Sequence, residues 1–343
     1  MLCRRTLPQC LNATRRCYSI SSKDGKPRRS YLYVPSSSER MLQKSLETPS
    51  DVIIYDLEDS VAQAQKTTAR ESLSKFLTTG HSKPLPESNR IAVRLNALHT
   101  PFFEEDIRAA VQIPSVDTLV LPKINSPQDL DVVSKYITHA TAWSSSSAAS
   151  RKHPLRIVAS IESATALFHV GDIAKWKSKN REEAGGALTA LLFAAEDYCA
   201  DTSIIRTKSR LELLYTRSQV VIAAKAFGLD AIDMVCVNYK DPAYLRDECE
   251  DGRRLGFDGK QAIHPSQVDI IHETFMPTEQ EILRAAKIVH MMEISHQSRK
   301  GAFGLETHDG KGGKEMIDAP MLKQAQNTLR LAKAVGATIT KVD

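Results

Sequence analysis

Short apolar runs recur along the chain, and after each of them apolar residues return every three or four positions. The runs are YLYV (31–34), VIIYD (52–56), IAVRL (91–95), TLVLP (118–122), RIVASI (156–161), LTALLF (188–193), AIDMVCV (231–237) and KQAIH (260–264). They are brief and mostly apolar on both faces, as strands of a parallel sheet covered by helices have to be. Helix signals lie between them. Ser126-Pro127-Gln128-Asp129 offers an N-cap serine, a proline at the first helical position and an acid in the first turn. Thr278 with Glu281 reads as a capping box, and Ile282, Ala285, Ala286 and Val289 follow at helical spacing. Leu211, Leu214, Tyr215 and Ile222 outline another apolar stripe.

Strands alternating with helices in this number predict an α/β fold, a (β/α)8 TIM barrel, with a doubly wound open sheet as the alternative. No GxGxxG or GxxxxGK[ST] follows any strand, which weakens the nucleotide-binding open sheet. The barrel is assigned to residues 28–300 and a C-terminal extension to 301–343. Segments 138–153, 175–186 and 304–314 are rich in serine, glycine and charge, and are expected to be solvated loops.

The 343 residues, 42% of them hydrophobic, suffice for one large core. No run of 18 apolar residues exists, so no membrane span is expected. The first 23 residues contain Arg4, Arg5, Arg15 and Arg16, no acid, and many Ser and Thr, the composition of a mitochondrial transit peptide. Cleavage is expected after Tyr18, with disorder to about residue 27, and a matrix location follows. Losing those four arginines lowers Lys+Arg from 46 to 42 against 41 Asp+Glu, leaving a net charge of about +1. No basic stripe interleaved with aromatics remains, which argues against nucleic-acid binding. Cys3, Cys10 and Cys17 belong to the same segment. Cys199, Cys236 and Cys249 are left, without a CxxC pair, and suit reduced thiols better than a zinc site.

In a barrel, reactive groups gather at the C-terminal ends of the strands. Asp56, Glu58 and Asp59 follow the second strand; Arg94 and Asn96 stand at the third, Lys123 after the fourth, Glu162 after the fifth, Glu196 and Asp197 after the sixth, and His264 after the eighth. Carboxylates converging on one rim repel unless a cation lies among them, and oxygen donors without a His/Cys set suggest Mg²⁺. Glu162 and Asp197, on neighbouring strands, are the candidate ligands, although either acid alone also suits a strand-end cap or an ion pair. Arg94 supplies a fixed cation for a substrate carboxylate or a developing oxyanion, or an ion-pair partner for Glu58 or Asp59 as supporting acids. His264 suits a hydrogen-bonded structural histidine better than an acid or base.

The runs RRSYLYVPSSSERM, DLEDSVAQAQKTTAR, VRLNAL, LPKINSPQDL, ASIESATAL, FAAEDYCAD, LGFDGKQAIHPSQV, FMPTEQEI and MIDAPMLKQAQNTLRLA, in this order, resemble the HpcH/HpaI aldolase and citrate lyase β-subunit family. The resemblance extends from about residue 28 to 335. It implies a magnesium-dependent TIM barrel, commonly trimeric, that acts on acyl-CoA. The implied reaction splits citramalyl-CoA into acetyl-CoA and pyruvate, with malate synthase chemistry as a side activity. By the same resemblance magnesium falls on Glu162 and Asp197, substrate contacts on Tyr33, Arg40 and Arg94, and the catalytic acid on Asp318. The C-terminal segment is then expected to lie over a neighbouring subunit, Asp318 completing a site there with apolar interface residues around it.

Ala194 and Ala195 depart from the family, where a glycine commonly stands before the aspartate; Arg40 replaces a lysine, and 304–314 is an insertion. These departures bear on substrate preference more than on reaction type. Three other readings stay open: a malyl-CoA or β-methylmalyl-CoA lyase, a citrate lyase β subunit that needs partner chains, and a non-catalytic CoA-binding scaffold.

Overall fold

The computed structural model describes residues 26–80, 83–142, 153–297, 302–306 and 314–339. The proposed presequence lies outside them, as do the middle of the 138–153 segment and residues 307–313. Eight parallel strands close into a barrel: β1 (Ser30–Pro35), β2 (Val52–Asp56), β3 (Ile91–Arg94), β4 (Thr118–Leu121), β5 (Arg156–Ile161), β6 (Ala187–Phe193), β7 (Asp230–Asp233) and β8 (Gly259–Ala262). Closure is made by β1 pairing with β8, Leu32 opposite Ala262, which excludes the open sheet.

The alternation of side chains along each strand separates two cores. Tyr31, Val52, Ile54, Ala92, Val120, Val158, Ala190, Leu192 and Ile232 fill the barrel interior. The opposite faces, including Ile53, Tyr55, Val93, Leu119, Ile157 and Leu191, pack under the helices. This register fixes the site. Two residues beyond Tyr31, Ile54 and Ala92 come Tyr33, Asp56 and Arg94, and four beyond Val158 comes Glu162, all on the inward face near the C-terminal rim.

Several boundaries differ from the sequence reading. β7 ends at Asp233 rather than 237 and β8 at Ala262 rather than 264, because their shared ladder stops at Asp233 and Lys260 and Pro265 lies just ahead with no N–H to extend it. Residues 138–142 continue the helix Pro127–Ala142, and Glu182–Gly185 is a helical turn within the expected 175–186 loop. The 304–314 loop is instead entered and left by strands, β9 (Phe303–Glu306) and β10 (Lys314–Ile317), paired antiparallel. The stripe Leu211, Leu214, Tyr215 and Ile222 is exposed, Leu211 by 71%. The helix Leu214–Phe227 instead buries Thr216, Arg217, Val220 and Ala224; Arg217 can face inward because its guanidinium grips Asp233 of β7 at 2.8 and 3.1 Å.

The capping box at Thr278 and Glu281 is formed, each residue accepting the other's backbone N–H, at 3.2 and 2.7 Å. It opens the helix Glu279–Gln297, which packs on the C-terminal helix Ala319–Ala334 and the β9–β10 pair. Ala285, Ile288, Met292, Ile317 and Ala325 make a separate small core there. The extension therefore has a small core of its own within one chain. No helix among the described residues is long and apolar enough to cross a membrane.

Candidate active site

Arg94 organises the rim. Its Nε and Nη2 donate to the two oxygens of Asp56 at 2.6 and 2.7 Å, while Nη1 lies 3.0 Å from Glu58 and 3.5 Å from Asp59. Its main partner is thus Asp56, with the two acids singled out in the sequence in support. Asp56 is fully buried and also accepts from the Glu58 N–H and from the Ser60 hydroxyl. Burial opposes its charge, but Arg94 and Ser60 hold its carboxyl below the usual range. Burial likewise opposes the Arg94 charge, and the Asp56 and Glu58 carboxylates help to hold it protonated.

The guanidinium sits 4.7 Å above the Tyr33 ring. The Tyr33 hydroxyl donates to Gln261 Oε1 at 2.9 Å, and burial raises its pKa, so the phenol stays neutral. Gln261 is fixed in turn, its amide donating to the carbonyls of Phe193 and Asp233 at 2.9 and 3.0 Å. The sequence reading passed over Gln261 as a strand residue; a polar side chain at an inward position of β8 was the available signal.

Burial pushes Glu58 up to about 7, with Arg94 opposing and Asp59 and Glu162 adding to it. One of its oxygens is buried and, among the described residues, faces Lys123 Nζ at 3.4 Å without a hydrogen bond of good geometry. Lys123 occupies left-handed backbone, φ 54°, at the end of β4, which points a half-exposed ammonium toward the same acids. Those acids, Glu58 first, raise its pKa against the effect of burial.

Glu162 is buried, its carboxyl raised by burial and, after relief from Ser160, by Asp197. Asp197, half-buried in the first turn of the helix Ala195–Thr202, is raised by burial and then by Asp59. Ala194 takes φ −95° and ψ 90°, which alanine adopts freely, and Ala195 is buried against Phe193 and Tyr198, so no glycine is needed here. Asp201, on the same helix, accepts from the N–H of Ala164 at 2.8 Å and ties this helix to the turn that follows Glu162.

A buried Glu162 whose proton affinity is raised by burial and by Asp197, in a rim whose donors are oxygens alone, fits a hard divalent cation. No group of three or more His, Cys, Asp or Glu is placed to hold a metal among the described residues.

Tyr33, Asp56, Glu58, Asp59, Arg94, Lys123, Glu162 and Asp197 are thus electrostatically coupled around one rim. Arg40 is exposed on the helix Glu39–Ser45 and makes no ion pair among the described residues. His264 caps the turn Pro265–Gln267, accepting from the Ser266 N–H, and stacks on Tyr239. Asp318 makes no hydrogen bond or ion pair with the rim acids or Arg94 among the described residues. Within one chain it is exposed, and it N-caps the helix Ala319–Ala334 by accepting from the Met321 N–H at 3.3 Å.

The family model described as HpcH/HpaI aldolase/citrate lyase matches residues 29–265. The chain is 33% identical over 313 residues to the mitochondrial citramalyl-CoA lyase of Homo sapiens, covering 90% of this chain and 86% of that protein. It is 32% identical over 312 residues to the (3S)-malyl-CoA thioesterase of Cereibacter sphaeroides, covering 91% and 96%. Among solved structures, CitE of Mycobacterium tuberculosis in complex with magnesium, acetoacetate and coenzyme A aligns with a TM-score of 0.68 and 26% identity, covering 90% of this chain and 99% of that one. A closed eight-stranded barrel whose charged rim occupies the expected strand ends, and a family match across most of the chain, lead to one assignment: the chain belongs to the HpcH/HpaI aldolase/citrate lyase family and is a lyase.

Proposed function

We propose that the chain is a mitochondrial, Mg²⁺-dependent carbon–carbon lyase that cleaves citramalyl-CoA to acetyl-CoA and pyruvate. The observation that carries this reading is the arginine–acid rim, in which Arg94 is clamped by Asp56 over Tyr33 beside the Glu162 and Asp197 pair. Similarity to citramalyl-CoA lyases, themselves mitochondrial, and to a CitE bound to magnesium and coenzyme A supports the substrate class, the metal and the compartment.

Glu162 and Asp197 would hold the metal, which when bound supplies positive charge for a 2-hydroxy-carboxylate unit and lowers the pKa of its hydroxyl. Arg94 stays protonated throughout, and its Nη1 faces the rim as a donor for the substrate carboxylate or for the oxyanion that develops as the C–C bond breaks. Asp56 binds the Nε/Nη2 edge and so fixes the direction of that donor before substrate arrives. Tyr33 presents its ring to the guanidinium, and Gln261 holds its hydroxyl in place. Arg40, on the first rim helix, supplies a mobile charge for the CoA part. The substrate hydroxyl gives up its proton to solvent, its oxygen becomes the keto oxygen of pyruvate as the C–C bond breaks, and the bond pair leaves as the enolate of acetyl-CoA. Asp318 of a neighbouring subunit is the acid that protonates the enolate carbon, or removes that proton in the condensing direction. Exposure at a helix N-cap suits Asp318 to delivery in trans within a homotrimer.

The test is pyruvate release from citramalyl-CoA by the protein lacking residues 1–18, with malyl-CoA run in parallel and glyoxylate as its product. Release of pyruvate that stops with EDTA is expected. Glyoxylate without pyruvate would move the reading to a malyl-CoA lyase, and release of free CoA without either oxo acid would move it to thioester hydrolysis.

A further inference from the structure

Asp197 is brought to the rim by a helix of eight residues, Ala195–Thr202, that has no side-chain cap at its start. Its neighbour Glu196 is an adjacent carboxylate, exposed, in the same first turn. The helix ends on Ser203 in left-handed backbone, φ 60°, and the chain turns back. Ile204 packs against the cluster of Phe193, Tyr198 and Met234, and Arg206 then reaches across to the β7–β8 side of the barrel.

Arg206 bridges three elements. Its Nη1 pairs with Glu196. Its Nη2 donates to the Val235 carbonyl, just past β7, at 3.0 Å and to Glu248 Oε1 of the helix Pro242–Leu255 at 2.7 Å. Glu248 is fully buried, with Lys260 Nζ of β8 at 3.1 Å from its other oxygen. The Arg206 side chain is itself only 11% exposed, so these bonds are largely shielded from water.

We propose that Arg206 is a positioning residue for Asp197: by binding Glu196, Val235 and Glu248 together it fixes the turn that presents the Asp197 carboxylate and draws the competing Glu196 carboxylate away from the cation. The inference rests on the reading of Glu162 and Asp197 as the metal ligands. Arginine suits this task because its planar fork reaches several acceptors in fixed directions, whereas a lysine ammonium is a single point charge. Asp201, bonded to the Ala164 N–H on the β5 side, holds the helix from the other flank.

The sign of the effect separates positioning from plain electrostatics. As a mere positive charge near the site, Arg206 weakens cation binding, and its removal tightens it. As a positioning residue, its removal loosens Asp197 and weakens binding despite the lost repulsion. The experiment is calorimetric titration of Mg²⁺ alone into the full protein and its Arg206→Met, Arg206→Lys, Glu196→Gln and Asp197→Asn variants, at a temperature where each is folded by circular dichroism. Arg206→Met is expected to raise the Mg²⁺ Kd about tenfold, the lower end of the range for groups that orient metal ligands. Arg206→Lys should recover part of the loss, and a double variant, Arg206→Met with Glu196→Gln, titrated in the same way, should bind Mg²⁺ no more than slightly differently from Arg206→Met. An unchanged or lower Kd in Arg206→Met overturns the proposal. Should that variant not fold, Arg206→Lys and Glu196→Gln carry the comparison, and wild-type affinity in both overturns it equally. If Asp197→Asn leaves the Kd unchanged, the ligand assignment fails instead.

Discussion

Replacing Arg94 by methionine removes three things together: a bidentate partner of Asp56, the cation beside Glu58, and the charge above Tyr33. Asp56 has no exposed surface, and the guanidinium is largely buried too, so the loss leaves an uncompensated interior carboxylate. Breaking a buried pair from one side costs about 3–5 kcal/mol. The lost cation–π contact adds about 0.5–1 kcal/mol. A total near 5 kcal/mol, set against an unfolding entropy of about 0.65 kcal/mol/K for a chain this size, lowers the melting midpoint by roughly 5–9 °C. Urea unfolding monitored by circular dichroism measures the loss, and a second substitution tests its cause. Asp56→Asn placed on Arg94→Met removes the stranded charge and keeps an acceptor for the Glu58 N–H, so about half of the lost stability should return. In Arg94→Met alone the deficit should also shrink at acid pH, where Asp56 takes up a proton. A single variant as stable as wild type, or a double variant that loses the two effects additively, would refute the buried-pair argument.

Other consequences are testable at similar cost. Burial opposes the Glu248 anion, but Lys260 and Arg206 bring its pKa down from 4.5 to about 2. A depressed acid stabilises the fold above its ordinary pKa and ceases to do so as pH falls from about 4.5 to about 2, a change of roughly 3 kcal/mol. Unfolding free energies across that window should fall more steeply in wild type than in Glu248→Gln; equal slopes would contradict the assignment. Asp318→Asn should leave the melting midpoint and Mg²⁺ binding unchanged, since asparagine caps a helix as well as aspartate, while turnover falls by more than a hundredfold. An active Asp318→Asn enzyme would remove that residue from the mechanism. Mg²⁺ should raise the melting midpoint of wild type but not of Glu162→Gln or Asp197→Asn, and a shift that persists in both would place the metal elsewhere.

The barrel was legible because its strands carry two apolar faces and its helices carry one, and Tyr31, Ile54, Ala92 and Val158 set the inward register that Tyr33, Asp56, Arg94 and Glu162 continue. The strand ends after 233 and 262 were not, since Met234 and Cys236 remain buried in a loop and look like strand residues in a one-dimensional pattern. The helix at 214–227 was read on the wrong face because its inward residues include Arg217, and only the three-dimensional meeting with Asp233 makes an arginine a core residue. The same limit hid Gln261 and Arg206, whose partners lie on other elements. Asp318 came only from the family resemblance, which put its apolar surroundings at a subunit interface. Within one chain Ile317 turns into the core of the extension and leaves Asp318 outside.

The measurement that tests the central claim most directly is the product analysis of one reaction: citramalyl-CoA, Mg²⁺ and the protein lacking residues 1–18, followed by proton NMR until substrate is consumed. Acetyl-CoA and pyruvate in equal amounts, with neither formed by Glu162→Gln, are the predicted result. Free CoA and citramalate in their place, or oxo-acid release that survives the loss of Glu162, would contradict it.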